Sequence, residues 1–344
     1  MATRISIYDR YGKPLAELNC KARCNWALNA MGKAVLEIAR SDPKFNETNL
    51  RIGNLILIEH DTLPRWGGRI DTPRKWARDK VVITAYTGEH IIKYFEYPTQ
   101  LVVGYAGEHF NDILLRFTDY DYLKQYPFTA GTIYYGGVSW SADLTQSRIG
   151  GLDRVSEIQR LSGQEWSIEP VLASNGWLQF IASWHLVRGE TTDLILEEDR
   201  HIAQQNGDLF IEQGEIINVP YLYWNTSGYI ADAWGSSDKA DVSKVFYGDR
   251  FQSSQVTYVD DDTMYAYADR LSAELCEPRK TFNLRVVNHN DCFKQLRIGN
   301  TISVRLVNYG FSDTGSLGVE ASVRIRGMEF SEEDGFVSLI VEGV

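Results

Sequence analysis

The amino-acid sequence predicts a mainly β protein with α+β insertions, in which two similar antiparallel β-barrels flank inserted mixed α/β domains. Three observations lead to this fold class. A pentapeptide occurs twice, each copy lies among strand-like segments in the same order, and helical periodicity lies mostly between the copies. The 344 residues are enough for about two domains, so the chain can bury a full hydrophobic core.

The repeated pentapeptide is Leu-Arg-Ile-Gly-Asn, at Leu50–Asn54 and Leu296–Asn300. Each copy follows one strand-like segment and precedes three more. These segments are 33–38, 55–58, 66–71 and 80–86 around the first copy, and 281–287, 301–307, 319–330 and 335–341 around the second. We expect both sets to share one strand topology, with Gly53 and Gly299 in equivalent turns at positive φ.

The stretch between the repeats predicts helices and a hairpin. Apolar residues at helical spacing mark 110–117, 152–161 and 264–275, and the acids Asp260–Asp262 are placed to cap the third helix and to interact with its dipole. Segments 166–170 and 177–181 predict strands joined by a turn at 174–176, and another strand opens at 216–219. The predicted domains are 1–97 (first barrel), 98–205 (α/β insertion), 206–260 (aromatic-rich β connection) and 261–344 (helix and second barrel).

Composition and charge exclude several classes of protein. Apolar residues make up 44% and charged residues 24%, as in ordinary globular domains. The net charge of −11 opposes binding of nucleic acid through its phosphates. No apolar run approaches the length of a membrane helix, and the first ten residues lack a signal-peptide pattern, so we expect synthesis in a cytoplasm.

The sequence predicts no metal site and no cofactor. The spacings Cys20-x-x-x-Cys24 and His289-x-x-Cys292 lack the paired pattern of a structural zinc site, so these cysteines and Cys276 are expected to be reduced thiols. The histidines do not form the helical pair that zinc proteases use. They are His60, His90, His109, His185, His201 and His289.

The sequence also predicts no catalytic residues. The acidic clusters Glu197–Asp199 and Glu332–Asp334 could supply a pair of carboxylates, but the second falls at a predicted turn. No nucleophile elbow, phosphate loop or dinucleotide fingerprint is present. We therefore expect a protein that is not an enzyme, with a cell-wall-lytic hydrolase using Glu197 and Glu198 as the least favoured alternative.

An aromatic-rich stretch is the remaining candidate binding feature. It contains Tyr221, Tyr223, Trp224, Tyr229 and Trp234. Tyrosine and tryptophan are favoured both in cores and in subunit interfaces, so we favour those roles over stacking on sugars. A carbohydrate-binding adhesin remains the alternative reading of this stretch.

The layout of the chain resembles that of one known family. The resemblance is carried by Leu50–Asn54 with 66–70, by 81–86 leading into 88–95, by 152–166, and by the helix 262–278 that leads to Leu296–Asn300 and 319–330. In these features the chain resembles the baseplate-hub or tail-tip proteins of tailed bacteriophages, whose fold also forms the base of spike proteins in contractile injection systems. The resemblance implies that the two barrels are tail-tube-like and that the protein is a structural homotrimer.

A trimeric hub has a simple geometrical logic. Three copies of a chain with two similar barrels present six similar units, so a closed ring can join a six-fold tube to a three-fold spike. The resemblance implies as partners the tail tube or a distal tail protein, the central spike or tip protein, and the tape measure protein. It implies a virion protein assembled in the host cytoplasm, through which DNA passes without specific binding.

Overall fold

The computed structural model describes residues 3–93, 101–119, 126–137, 139–143, 150–203, 210–213, 215–226, 229–255, 261–311 and 317–344. The strands are β1 (Thr3–Tyr8), β2 (Pro14–Leu18), β3 (Lys21–Ala27), β4 (Lys33–Ala39), β5 (Leu55–His60), β6 (Trp66–Trp76), β7 (Lys80–Thr87), β8 (Leu101–Tyr105), β9 (Phe128–Ile133), β10 (Ser139–Asp143), β11 (Glu165–Leu172), β12 (Leu178–His185), β13 (Thr191–Glu197), β14 (Phe210–Gln213), β15 (Val219–Thr226), β16 (Tyr229–Trp234), β17 (Phe251–Gln255), β18 (Arg279–Val286), β19 (Thr301–Phe311), β20 (Leu317–Ser331) and β21 (Val337–Gly343). The helices are α1 (Glu89–Ile92), α2 (Ala106–Asp119), α3 (Gly151–Ser162), α4 (Asp238–Tyr247), α5 (Asp261–Leu275) and the 3₁₀ helix η1 (His289–Gln295).

The four strands around each pentapeptide pair in the same way. In the first half of the fold, β1 to β7, strand β5 pairs with β6, β6 with β7, and β7 with β4, all antiparallel. In the second half, β18 to β21 with β13 and β14, strand β19 pairs with β20, β20 with β21, and β21 with β18, again antiparallel. The expectation of one shared strand topology is therefore confirmed.

The two halves form one continuous sheet. Strand β3 pairs with β4 on one edge and with β20 on the other, and the resulting sheet has 13 strands. One core of buried side chains spans both halves, from Ile5 to Val341. The mainly β class is confirmed, but strand pairing among the described residues closes neither half into a barrel. In the first half, the second edge of β3 pairs with β20 of the other half instead of closing the sheet on itself.

A second core lies mainly in the insertion and also takes Tyr8, Leu55 and Leu57 from the first half. Phe110, Ile113 and Leu114 of α2 pack there with Val155 of α3, as their helical spacing predicts. Helix α3 ends at Gly163, whose φ of +71° is that of a left-handed C-cap. Strands β11 and β12 form the predicted hairpin and extend into a small sheet with β9.

The last predicted helix and strand also form, with small differences at their ends. Helix α5 begins at Asp261 and buries Met264 and Ala268, while Asp260 lies outside the described residues. Strand β15 begins at Val219. The predicted domain boundaries remain predictions.

Candidate assembly surfaces

The two copies of the pentapeptide form the same turn. Gly53 and Gly299 have φ of +101° and +91°, and each donates its N–H to an isoleucine carbonyl, Ile70 O or Ile325 O, at 2.9 Å. The asparagine after each glycine accepts from the N–H of that same isoleucine, at 2.8 Å and 2.9 Å. Because glycine alone adopts positive φ at little cost, the repeated glycine accounts for the repeated turn, and this prediction is confirmed.

The surroundings of the two turns differ. A Cβ atom at Gly53 would have Arg69 Nη2 as its nearest described neighbour, at 3.9 Å. A Cβ atom at Gly299 would lie 2.6 Å from the carbonyl oxygen of Arg188. The connection from β12 to β13, residues 186–190, thus packs directly on the second turn.

A buried ion pair holds this contact between the insertion and the second half. Arg324 Nη1 and Nη2 donate to Glu165 Oε1 and Oε2 at 2.6 Å and 2.5 Å, and the two side chains are 15% and 7% exposed. Arg324 also donates to the carbonyl oxygens of Gly299 and Arg188, at 2.9 Å and 2.6 Å. The bidentate pair and these extra bonds satisfy both charges away from water.

The aromatic-rich stretch contains both a core face and an exposed face. Leu222 and Trp224 on β15 are 1% and 2% exposed and belong to the core of the insertion. Tyr221 and Tyr223 alternate with them, and the Tyr221 ring lies 4.5 Å from that of Trp234, which is 50% exposed. Since side chains alternate along a strand, one stretch serves two environments. The side chain of Tyr229 lies outside the described residues.

Helix α4 turns apolar side chains outward. Val242, Val245 and Phe246, on one helical face, are 56%, 81% and 76% exposed. Phe251 on β17 is 63% exposed and meets the Trp234 ring edge-on at 6.2 Å. We call these four residues, together with Trp234, the exposed apolar surface. Large apolar side chains grouped in this way are typical of interaction sites.

The carboxylates considered for catalysis are tied into the fold instead. Glu197 bonds Arg200 at 2.7 Å and Arg305 at 3.3 Å, and the bond from Arg200 lowers the pKa of the glutamate. Glu198 Oε2 accepts the backbone N–H of Val307 at 2.7 Å. A general acid needs a raised pKa, so this arrangement does not suit acid catalysis. Glu332–Asp334 lie exposed in the turn between β20 and β21, as predicted.

Cysteine and histidine form no metal cluster in the part of the chain that the structure describes. No group of three or more histidine, cysteine, aspartate or glutamate side chains is placed to hold an ion there. All four cysteines are free thiols, and burial raises the pKa of Cys20 to about 12. Within the described ranges, no helix has the length and apolar character needed to cross a membrane.

A buried polar pair joins Asp71 on β6 to His90, which lies in α1 directly after β7, and the sequence analysis missed its importance. His90 Nε2 and Asp71 Oδ2 are 2.6 Å apart, and Glu89 is 8% exposed beside them. Burial raises the pKa of Glu89 to about 7. The signal was present, since Glu89 and His90 lie between the strand-like segment 80–86 and the apolar pair Ile91 and Ile92.

Comparison with known proteins supports the fold through structure alone. No protein-family model and no curated protein matches the sequence. Prophage tail protein gp18 of Listeria monocytogenes superposes with a TM-score of 0.59 at 12% identity, over 98% of this chain and 94% of that one. A tail protein of Neisseria meningitidis gives 0.59 at 11% identity, over 100% and 97%.

A third solved structure connects the fold to secretion systems. The c3393 protein of E. coli, described as a type VI secretion component similar to T4 bacteriophage tail proteins gp27 and gp5, gives a TM-score of 0.50 at 9% identity, over 99% of this chain and 74% of that one. At such low identities the likeness establishes the fold. This chain has the fold of phage tail proteins, in agreement with the resemblance of its sequence to baseplate-hub and tail-tip proteins.

Proposed function

We propose that this protein is a structural hub of a phage tail tip or baseplate, built as a homotrimeric ring. The observation that carries the proposal is the duplication itself, because two units with the same strand pairing and the same turn lie near the two ends of one chain. Three such chains present six similar units around an axis. A ring of this kind joins the hexameric tail tube to a central spike or tip.

The exposed apolar surface is the part of the described fold best suited to contact between subunits. Its aromatic and aliphatic side chains resemble the centre of an interface more than a solvated surface. In the proposed ring, this surface is covered by a neighbouring subunit, while other faces meet the tail tube or distal tail protein, the tape measure protein and the spike.

The assembly is tested by measuring mass and shape in solution. Light scattering is expected to give three times the mass of the chain, and negative-stain images are expected to show rings. Phe246→Glu places a charge in the exposed apolar surface and is expected to shift the protein to monomers. Trp76→Glu, at an exposed aromatic of the first half, is the control. A monomeric wild-type protein would contradict the proposed ring.

The proposed DNA conduit predicts the charge of the loops that line its channel. Three chains of net charge −11 carry roughly −33, a field that repels a polyanion. Channel-facing loops are expected to be acidic or polar, because clusters of lysine and arginine would bind phosphate and stall the DNA. Retention of duplex DNA by the purified ring at physiological salt would contradict a passive conduit.

One specific observation keeps the adhesin alternative open. The rings of Tyr221, Tyr223 and Trp234 lie side by side on an exposed sheet face, an arrangement on which a sugar ring can stack. Binding of the isolated chain to a glycan array, lost in Trp234→Ala, would favour the adhesin over the hub. For a lytic hydrolase the test is clearing of cell-wall suspensions, which we expect to be absent.

A further inference from the structure

Each of the two equivalent turns has an arginine at the same place beside it. Arg69 on β6 is paired in register with Leu55 on β5. Arg324 on β20 is paired in register with Thr301 on β19. Leu55 and Thr301 each directly follow the asparagine of the repeated pentapeptide, so the two arginines occupy one position of the duplicated unit. The second half therefore shows what a side chain at this position can bind.

In the second half, the arginine at this position binds a carboxylate. The Arg324 guanidinium donates to both carboxylate oxygens of Glu165 and to two backbone carbonyl oxygens, so it serves four acceptor atoms at once. Arginine suits this role because its planar fork of N–H donors matches the two oxygens of a carboxylate. An arginine in the equivalent position can thus hold a carboxylate in addition to other acceptors.

In the first half, a cavity of about 460 Å³ lies beside the turn. Its lining includes Arg10, Arg51, Gly53, Arg69 and Tyr126. The Arg69 guanidinium lies over the Tyr126 ring, 5.6 Å from its centroid. At the second turn, the connection 186–190 packs directly on the glycine, whereas a Cβ atom at Gly53 would meet no described atom closer than 3.9 Å. Among the described residues, the first turn is open where the second is covered.

The charges of this lining favour an anion as the occupant. Three arginines line the cavity, and the lining contains one carboxylate, that of Asp9. Asp9 Oδ1 accepts the backbone N–H groups of Tyr11 and Lys13, each at 2.9 Å, and so stabilises the turn between β1 and β2. Arg10 and Arg51 are exposed, and neither forms an ion pair with a described carboxylate. The excess of accessible positive charge attracts a carboxylate from solution.

We propose that this cavity binds an acidic side chain of a partner protein, a glutamate or an aspartate, with its carboxylate on the guanidinium groups of Arg51 and Arg69. The contact repeats between two proteins the one that Glu165 makes within this chain. Ile52, which is 37% exposed, and the Tyr126 ring offer apolar surface to the methylene groups of such a side chain. The proposed tail-tip role enters only in supplying a partner.

The experiment titrates the purified protein with a triglutamate peptide, acetylated and amidated at its ends, using calorimetry at low and at high salt. We expect saturable binding of one peptide per chain, because the equivalent arginine of the second half is already occupied by Glu165. Binding is expected to weaken as the salt concentration rises, since salt screens exposed charges. The matched triglutamine peptide is expected not to bind.

Substitutions of the arginines assign the site. Arg51→Gln removes an exposed cation of the lining and is expected to weaken peptide binding by about tenfold, the loss of one charge-assisted hydrogen bond. Arg51→Lys keeps the charge and is expected to weaken binding less. Arg69→Gln is expected to abolish binding. Arg78→Gln, at an exposed arginine outside the lining, is the matched control and is expected to change nothing.

A further variant keeps the test decisive if Arg69→Gln folds poorly. Arg51→Glu reverses an exposed charge, leaves Arg69 in place, and is expected to abolish binding while the protein stays folded. Absence of saturable binding to the wild-type protein would overturn the proposal, as would equal binding of the triglutamine peptide. Tighter binding of inorganic phosphate than of the triglutamate peptide would overturn it as well. None of these results bears on the proposed trimer, which rests on mass and shape.

Discussion

The two halves of the sheet contain the same four-stranded unit but complete it differently. In the first half, β5 is flanked by β1, which is nearby in sequence and antiparallel to it. In the second half, the corresponding strand β19 is flanked by β13, which runs parallel to it and is separated from it in the chain by strands β14 to β18. The second half therefore completes its sheet with a parallel strand, where the first half uses an antiparallel one.

The halves also attach to the insertion by different chemistry. The first half approaches it through close packing at glycines, since a Cβ atom at Gly67 would lie 2.4 Å from Pro170 and one at Gly88 would lie 2.5 Å from Ile168. The second half uses the buried pair of Arg324 and Glu165. One duplicated unit can thus be held by steric fit on one side and by charge on the other.

The largest expected effect comes from breaking that buried charge pair. Arg324→Ala removes the bidentate partner of the buried Glu165, leaves only the more distant Arg326 guanidinium at 3.9 Å, and is expected to lower the free energy of unfolding by about 3 kcal/mol. Urea denaturation measures the loss. The double variant Arg324→Met with Glu165→Leu is expected to recover part of it, because both charges are then absent. Equal losses in the single and double variants would show that packing, and not charge, holds the second half to the insertion.

A smaller effect on the free energy of unfolding is expected from pH, through Glu89 near the contact between the first half and the insertion. Because burial raises the pKa of Glu89 from 4.5 to about 7, the folded protein holds a proton that the unfolded chain has already lost. Stability is therefore expected to fall as the pH rises from the unfolded to the folded pKa, by at most about 3 kcal/mol from this group. Unfolding of wild type and Glu89→Gln across this interval isolates the contribution. Identical pH profiles would contradict it.

Replacing Gly53 or Gly299 with alanine compares the stability of the two equivalent turns directly. Each substitution forces a side chain into positive φ, at roughly 1 to 2 kcal/mol. Gly299→Ala is expected to cost more than Gly53→Ala, because its new Cβ would also meet Arg188 O. Thermal unfolding of the two variants gives the difference. A Gly53→Ala variant that is the less stable of the two would reverse the comparison.

The smallest effect is expected where the two halves join. Arg23 on β3 pairs with Glu329 on β20, but the arginine side chain is 67% exposed and the glutamate 37%. Such a pair contributes little, so Arg23→Ala is expected to change the free energy of unfolding by less than about 0.5 kcal/mol. A loss comparable to that of Arg324→Ala would mean that the junction depends on charge after all.

The sequence predicted the repeated unit well because its signals are local. Strand periodicity, the glycine of each turn and the helix stripes each lie within a few residues, and the structure confirms them. The separation of Trp224 into the core and Trp234 onto the surface was less visible, since aromatic residues are frequent in both settings. The stretch contains both buried and exposed aromatic side chains, Trp224 on β15 and Trp234 on β16, so composition alone could not separate them.

Contacts between distant segments could not be predicted in this way. The parallel pairing of Thr191 with Thr301 leaves no pattern in either strand, and neither does the pairing of Ala27 with Gly327. The ion pair of Glu165 with Arg324 joins residues that are each unremarkable in their own surroundings. Closed barrels were expected because the order of strands along the chain does not reveal that β3 pairs with β4 on one edge and with β20 on the other.

The pairing of β3 with β20 has a consequence for synthesis on the ribosome. Ala27 on β3 is synthesised long before its pairing partner, Gly327 on β20. Strand β3 therefore emerges from the ribosome well before the strand that covers its outer edge. At cellular rates of translation that interval is roughly 15 to 60 s. During it, the nascent first half exposes a strand edge that can pair with another chain. Folding yield should therefore depend on chaperones that hold this edge, and on how quickly the last strands arrive.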